Sequence, residues 1–329
     1  MSVAQIGRRH IVIGAVLGAT LIAVAALWLH SLWIWRGFTE YRMERDRDIP
    51  TAIAVSSDGA VWFTLDFADA IGVLRDGRIE RIRKGREAFE PLGLAVDRDG
   101  AAWYTDSPSR VISRVSPDGV VASFALSTPV AKLARLAAAP DGAVWFAEES
   151  AYSFTRLKNG AFTRHAISTP GIAPFGVAVD AGGTVWGTLP RINRLVRISA
   201  QGDIAELDPP TRAAQLGDVA VGADGAVWFL EMQANKIGRF ANGQFTEFLV
   251  PTKSAGLTSL AIAPDGAVWF TELRGQRLGR LRDGVIVEFP LPRGDARPFG
   301  IAVDGTGNVW YTDLSGVLGR LSADRARGR

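Results

Sequence analysis

The chain has 329 residues, with 37 Lys and Arg set against 34 Asp and Glu for a formal charge of +3. The basic residues recur by position without gathering into a block, so nothing reads as a nucleic-acid footprint. The absence of cysteine excludes disulfides, thiolate metal sites and cysteine nucleophiles together.

At the start of the chain, Arg8 and Arg9 precede an uncharged, mostly apolar stretch from Ile11 to Trp35, long enough to cross a bilayer as a helix. Residues 1–10 are expected on the cytoplasmic side, because positive charge stays there, and residues 11–36 as one transmembrane signal anchor. Trp28, Trp33 and Trp35 gather at the far end, where amphipathic rings favour the interface, and Arg36 closes the segment. Two rivals stand beside this reading: a signal peptide cut near Ala23-Val24-Ala25, and a twin-arginine signal on Arg8-Arg9. Cleavage would leave an exposed, Trp-rich apolar N-terminus. All three place the rest of the chain on the periplasmic or extracellular side of a membrane.

From there the chain is periodic. Trp62, Trp103, Trp145, Trp186, Trp228, Trp269 and Trp310 recur every 41 or 42 residues. A unit of that size fits four short strands and cannot bury its own apolar faces without copies packed against it. The spacing predicts an all-β, seven-bladed β-propeller of four-stranded blades over residues 37–322, preceded by one N-terminal transmembrane helix and followed by a basic C-terminal tail, 323–329, read as a solvated end.

Each repeat carries strands A to D, counted outward from the channel. Asp-Gly pairs such as Asp58-Gly59 and Asp265-Gly266 precede the tryptophans and predict two-residue hairpins. Strand B is apolar on both sides of its pleat, as at Val227, Trp228 and Phe229, which requires cover on both faces. An alanine eight residues before every tryptophan, from Ala54 to Ala302, is expected to line a narrow axis. The last repeat ends after its third strand, and Gly37-Phe38-Thr39-Glu40-Tyr41 resembles the missing fourth, so the N-terminal segment is expected to complete blade seven. That leaves one or two residues between bilayer and ring. The ring is expected to be monomeric.

The loops entering strand A and leaving strand B open on one face. Three residues after the tryptophan, five blades carry an acid: Asp106, Glu148, Glu231, Glu272 and Asp313. Such carboxylates suit a hard cation, or a base with a raised pKa; equally, each can stitch its own blade to the next loop. Before strand A most blades have a small residue, but Arg135 and Asp218 interrupt the pattern in blades three and five. Ionisable groups there are costly unless paired or functional. Binding is one role for them and a mutual or local salt bridge the other. Arg114, Arg156, Arg197, Arg239, Arg280 and Arg320 recur in strand C as structural partners of aromatics or carboxylates. His165 falls in an outer strand, which leaves no histidine for the channel.

The repeat, visible as Pro174-Phe175-Gly176, Trp269-Phe270-Thr271-Glu272, Asn235-Lys236-Ile237-Gly238-Arg239 and Pro298-Phe299-Gly300, resembles the streptogramin lyases, the virginiamycin B lyase family, over residues 38 to 321. The resemblance implies the propeller fold and a C–O lyase that opens cyclic depsipeptides by elimination with a base and Mg²⁺. The family's histidines sit in Pro-His-Gly or Pro-His-Ala turns. Here those slots hold Thr51, Leu92, Ala134, Phe175, Gly217, Thr258 and Phe299, none of which is a base. Two functions stay open. One is recognition of a small molecule, sugar or peptide at the channel mouth, with Phe175 and Phe299 as apolar contacts among Arg135, Asp218, Asp106, Glu148 and Asp313. The other is a metal-dependent lyase or lactone hydrolase in which Glu231 or Glu272 replaces the missing histidine.

Overall fold

Seven four-stranded antiparallel sheets form a β-propeller in a computed structural model that describes residues 35–85 and 91–328. The expected membrane span lies outside the described residues except for its last two. Trp35 and Arg36 belong to a turn, closed by Phe38 N–H to the Trp35 carbonyl at 3.2 Å. Among the described residues no helix is long and apolar enough to cross a membrane.

Blade seven is completed as the sequence suggests. Strand A Pro298–Val303, strand B Val309–Asp313 and strand C Val317–Leu321 are joined by Phe38–Arg42, with Phe38 opposite Leu321 and Arg42 opposite Val317. The C-terminal tail is not a solvated end. A short helix, Ala323–Ala326, docks beside the point where residue 37 enters the ring: Ser322 N–H bonds the Gly37 carbonyl at 2.8 Å, and Ala326 is buried.

The tryptophans sit in strand B of every blade and are buried or nearly so. Each faces an alanine of strand A in direct register, from Ala54 opposite Trp62 to Ala302 opposite Trp310. Cross-strand neighbours share a face, so the indole accounts for the small residue and an axis-lining role does not. On the other side of strand B, an arginine of strand C pairs with the tryptophan in six blades, as Arg239 does with Trp228. Its guanidinium carbon lies 5.5 Å from that ring centroid, within cation–π range.

The Asp-Gly turns differ from the two-residue hairpins expected. Only the glycine takes positive φ, +88° at Gly59 and +81° at Gly266. Gly59 N–H bonds the Ser56 carbonyl and Ser56 N–H bonds the Ala60 carbonyl, while Asp58 accepts from the Ala60 amide. The loop is one residue longer than a type I′ hairpin, a type I turn closed by a left-handed glycine, with the aspartate as an internal acceptor.

A threonine two residues after the tryptophan ties each regular blade to its neighbour. Thr188 accepts from Gly176 N–H at 2.8 Å and donates to the Gly217 carbonyl of the next blade at 2.7 Å. Thr64, Thr105, Thr271 and Thr312 repeat the arrangement. Replacing Thr188 with valine strands a buried amide and a buried carbonyl, and is expected to lower unfolding free energy by about 2 kcal/mol in urea denaturation.

Candidate functional site

The small residues in or just before strand A are explained by those threonines. A Cβ on Gly176 would lie 2.7 Å from the Gly217 carbonyl oxygen and 2.8 Å from Thr188 Oγ1; at Gly93 and Gly300 the same two kinds of atom stand in the way. Blades three and five carry Ala147 and Leu230 in place of the threonine. Where the stitching hydroxyl is missing, Arg135 and Asp218 take the small residue's slot.

Those two residues meet. Arg135 Nε lies 3.5 Å from Asp218 Oδ1, with both side chains about nine-tenths buried. The guanidinium donates to the Leu92 carbonyl at 3.2 Å and the Thr258 carbonyl at 3.0 Å, and stands 5.8 Å from the Phe175 ring centroid. Asp218 accepts from Ser259 Oγ at 2.7 Å and from Leu260 N–H at 3.2 Å. One ion pair thereby joins blades two to six across the centre of the ring.

The five acids that end strand B do not converge. Each sits buried at the end of strand B in its own blade, and Asp106, Glu148 and Asp313 have local partners. Asp106 pairs with Lys84 at 3.1 Å; Glu148 takes both forks of Arg164, at 2.9 and 3.0 Å; Asp313 pairs with Arg293 at 2.8 Å and accepts from Arg297 N–H. Lys84 and Arg293 lie in the segments leading into blades two and seven, so these pairs stitch neighbouring blades.

Glu231 and Glu272 are different. Both are fully buried, and none of their carboxyl oxygens accepts a hydrogen bond of normal geometry among the described residues, although the Thr252 hydroxyl lies close enough to Glu272 to favour its charged form. In blade five the second acid, Glu247, takes Lys236 at 2.7 Å and the amide and hydroxyl of Thr211. In blade six Glu288 takes the amide and hydroxyl of Thr252. Thr211 and Thr252 occupy the place that Arg293 fills in blade seven, so among the described residues neither inner acid has an ion pair, and Lys236 and Arg277 only partly offset the upward shift of Glu231 and Glu272. Burial, and then the charge of Glu247, pushes the Glu231 carboxyl up to about 8; burial and Glu288 do the same to Glu272, also to about 8.

These donors do not make a set for Mg²⁺, which takes near-octahedral oxygen coordination and keeps several waters. Both inner acids are sealed from solvent, Lys236 already neutralises Glu247, and among the described residues no three His, Asp or Glu gather in a way that could hold a metal.

The mouth of the ring holds a cleft of about 410 Å³ over blades two to five. Its apolar walls are Leu92, Leu133, Pro174, Phe175, Pro190 and Met232; Lys132, Glu149, Arg191 and Gln215 supply charge and polarity. Of the residues expected at the mouth, only Phe175 lines this cleft, with Arg135 packed behind its ring. Phe299 is half-buried, and its carbonyl accepts from Thr258 and Thr271.

Ser107, Glu149, Pro190 and Met232 all lie four residues after their tryptophan, one position beyond the acids. Strand side chains alternate faces, so this one-residue step separates the cleft wall from the buried interior. The signal was present in the period of two. His165 packs on Trp145 with ring centroids 4.9 Å apart and lines a groove at the Asp-Gly end of blades three and four, opposite the cleft; burial and then Arg156 lower its pKa.

Residues 36–186 and 78–327 match the profile of the Virginiamycin B lyase family. A curated virginiamycin B lyase from Nocardia farcinica is 36% identical over 190 residues, which is 57% of this chain and 65% of that protein, so the match spans just under two thirds of the relative. Among solved structures, a catalytically inactive virginiamycin B lyase from Staphylococcus aureus with quinupristin superposes with a TM-score of 0.82 at 28% identity, over 86% of this chain and 98% of that one. A streptogramin B lyase gives 0.82 and 28% over 88% and 99%.

Proposed function

The chain belongs to the virginiamycin B lyase family, and from that premise we propose that it is a membrane-anchored, extracytoplasmic propeller that recognises a small molecule or peptide in the Phe175 cleft. The observation that carries this reading is the cleft itself: a concave, mostly apolar wall with a few polar groups at its rim, the usual make-up of a small-molecule site. The slots in which the family's turns hold histidine contribute Leu92 and Phe175 to that wall.

Anchoring rests on the uncharged stretch from Ile11 to Trp35. Strands alternate in direction, so residue 37 enters the ring at the end that carries the Asp-Gly turns, while the cleft lies at the other end. An anchored ring presents its cleft away from the bilayer.

A fragment screen by fluorine NMR on the full-length protein in nanodiscs tests the site. Apolar fragments that bind should lose about tenfold in affinity in Phe175→Ala and Met232→Ala, the loss expected from removing one buried side chain. Hits indifferent to both variants would move the site elsewhere.

A second reading, metal-dependent elimination by a lyase or lactone hydrolase, is favoured by the raised pKa of Glu231 and Glu272, since a base works best near the operating pH. It requires a sealed carboxyl to reach substrate. Titrating the protein with Mg²⁺, Ca²⁺ and Mn²⁺ while following Tm reads specific binding of any of them, because a ligand of the native state raises it. A flat response to all three counts against this second reading.

A further inference from the structure

We propose that the ligand of the cleft is an apolar molecule that bears a carboxylate, and that Arg191 and Gln215 receive that carboxylate. This rests on the reading of the Phe175 cleft as the binding site and names its ligand class.

The charge balance of the cleft points to an anion. Lys132 and Glu149 neutralise each other at 2.9 Å. Arg135, behind Phe175, is matched by Asp218. Arg191 lies on the loop that leaves strand B of blade four, is exposed, and among the described residues makes no ion pair or side-chain hydrogen bond. One positive charge is therefore left over beside an apolar wall. A guanidinium presents a planar fork that matches a carboxylate.

Gln215 comes from the loop entering strand A of blade five. Its side chain too has no partner among the described residues. The backbone that presents it repeats a feature of the fold: Ala213 and Gln215 hold φ of +53° and +55°, as Ser254 and Gly256 in the corresponding loop of blade six hold +49° and +71°. The buried Ala214 between them supplies one anchor, its carbonyl accepting from Gln233 N–H at 2.9 Å; the Gln215 carbonyl accepts from Met232 N–H at 3.2 Å. The loop is thus fixed to the Met232 side of the cleft with its amide turned outward. A guanidinium and an amide, both solvent-exposed and without a protein partner among the described residues, flank walls made by Leu92, Pro174, Phe175 and Met232.

The ligand class follows from this pairing: an acid whose apolar or aromatic body fills the wall, such as the free C-terminus of a short apolar peptide. The probes are N-acetyl-Phe-Phe with a free carboxylate and the same peptide as its C-terminal amide, titrated into the full-length protein in nanodiscs at about 50 mM salt, where charge pairs are little screened. The acid is expected to bind about tenfold more tightly than the amide, as one charge-assisted pair would give. Arg191→Gln should erase that difference by bringing the acid down to the level of the amide, and Phe175→Ala should weaken both peptides alike. Equal binding of acid and amide by the unsubstituted protein would overturn the assignment of a carboxylate while the cleft reading stands. Binding of neither peptide would overturn both.

Discussion

Asp218→Ala is expected to cost about 3–5 kcal/mol of unfolding free energy, well above the loss expected for Thr188→Val. The change removes the partner of a buried guanidinium and leaves Arg135 facing two carbonyls with its charge uncompensated. It also strips Ser259 Oγ and Leu260 N–H of their acceptor. Removing one member of a buried pair is far more costly than removing both, because the residual charge has no water to turn to. The double variant Arg135→Met/Asp218→Asn should therefore be no less stable than Asp218→Ala alone, by urea denaturation at neutral pH. A loss under about 1 kcal/mol for Asp218→Ala, the range of an exposed pair, would mean that the pair is hydrated.

The second large effect runs in the opposite direction. Glu231→Gln and Glu272→Gln should each stabilise the protein, by on the order of 3 kcal/mol near pH 8. The sign follows from linkage. Both carboxyls titrate at about 8 in the folded ring, against an ordinary glutamate value of 4.5. A group whose folded pKa is raised contributes stability that is fully present below the unfolded pKa and is lost as pH rises through the folded one. Wild-type stability should thus decline between about pH 4.5 and pH 8, and glutamine, a permanently neutral isostere, should remove that decline. In the neutral form Glu231 is also a donor facing Glu247. Around pH 4.5 variant and parent should melt together, and a constant difference across pH would refute this reading of the two sites.

Much of the architecture is legible because it depends on repetition. Seven indoles at a near-constant interval, a missing last strand and a matching segment near the N-terminus are one-dimensional facts, and closure of the ring follows from them. Details that depend on which way a side chain points are harder. Small size alone suggests the axis for the alanines of strand A, yet each faces an indole across the sheet, a relation visible only once register is known. The threonines that follow five of the tryptophans carry the joints between blades, but in sequence they look like ordinary strand residues.

The functional face shows the same limit more sharply. Position in the repeat aims the acids three residues after tryptophan at the mouth, but the pleat turns them into the blade, and the next residue, as at Glu149 and Met232, reaches the cleft. Register by one residue decides between a buried cell and a binding wall. Arg135 and Asp218 stand out because they break the repeat, and their meeting across blades three and five is the mutual pairing that burial demands. Arg191 and Gln215 carry no such mark, since a loop residue gains meaning only from the groups that lie opposite it.

The most direct test of the central claim, recognition in an apolar cleft and not elimination by a buried carboxyl, is incubation of the full-length protein with a linearisable cyclic depsipeptide and Mg²⁺. The product must be followed by chromatography, because elimination opens the ring without changing its mass. Recognition without catalysis predicts no ring opening above the buffer control. Ring opening that Glu231→Gln or Glu272→Gln abolishes would contradict it.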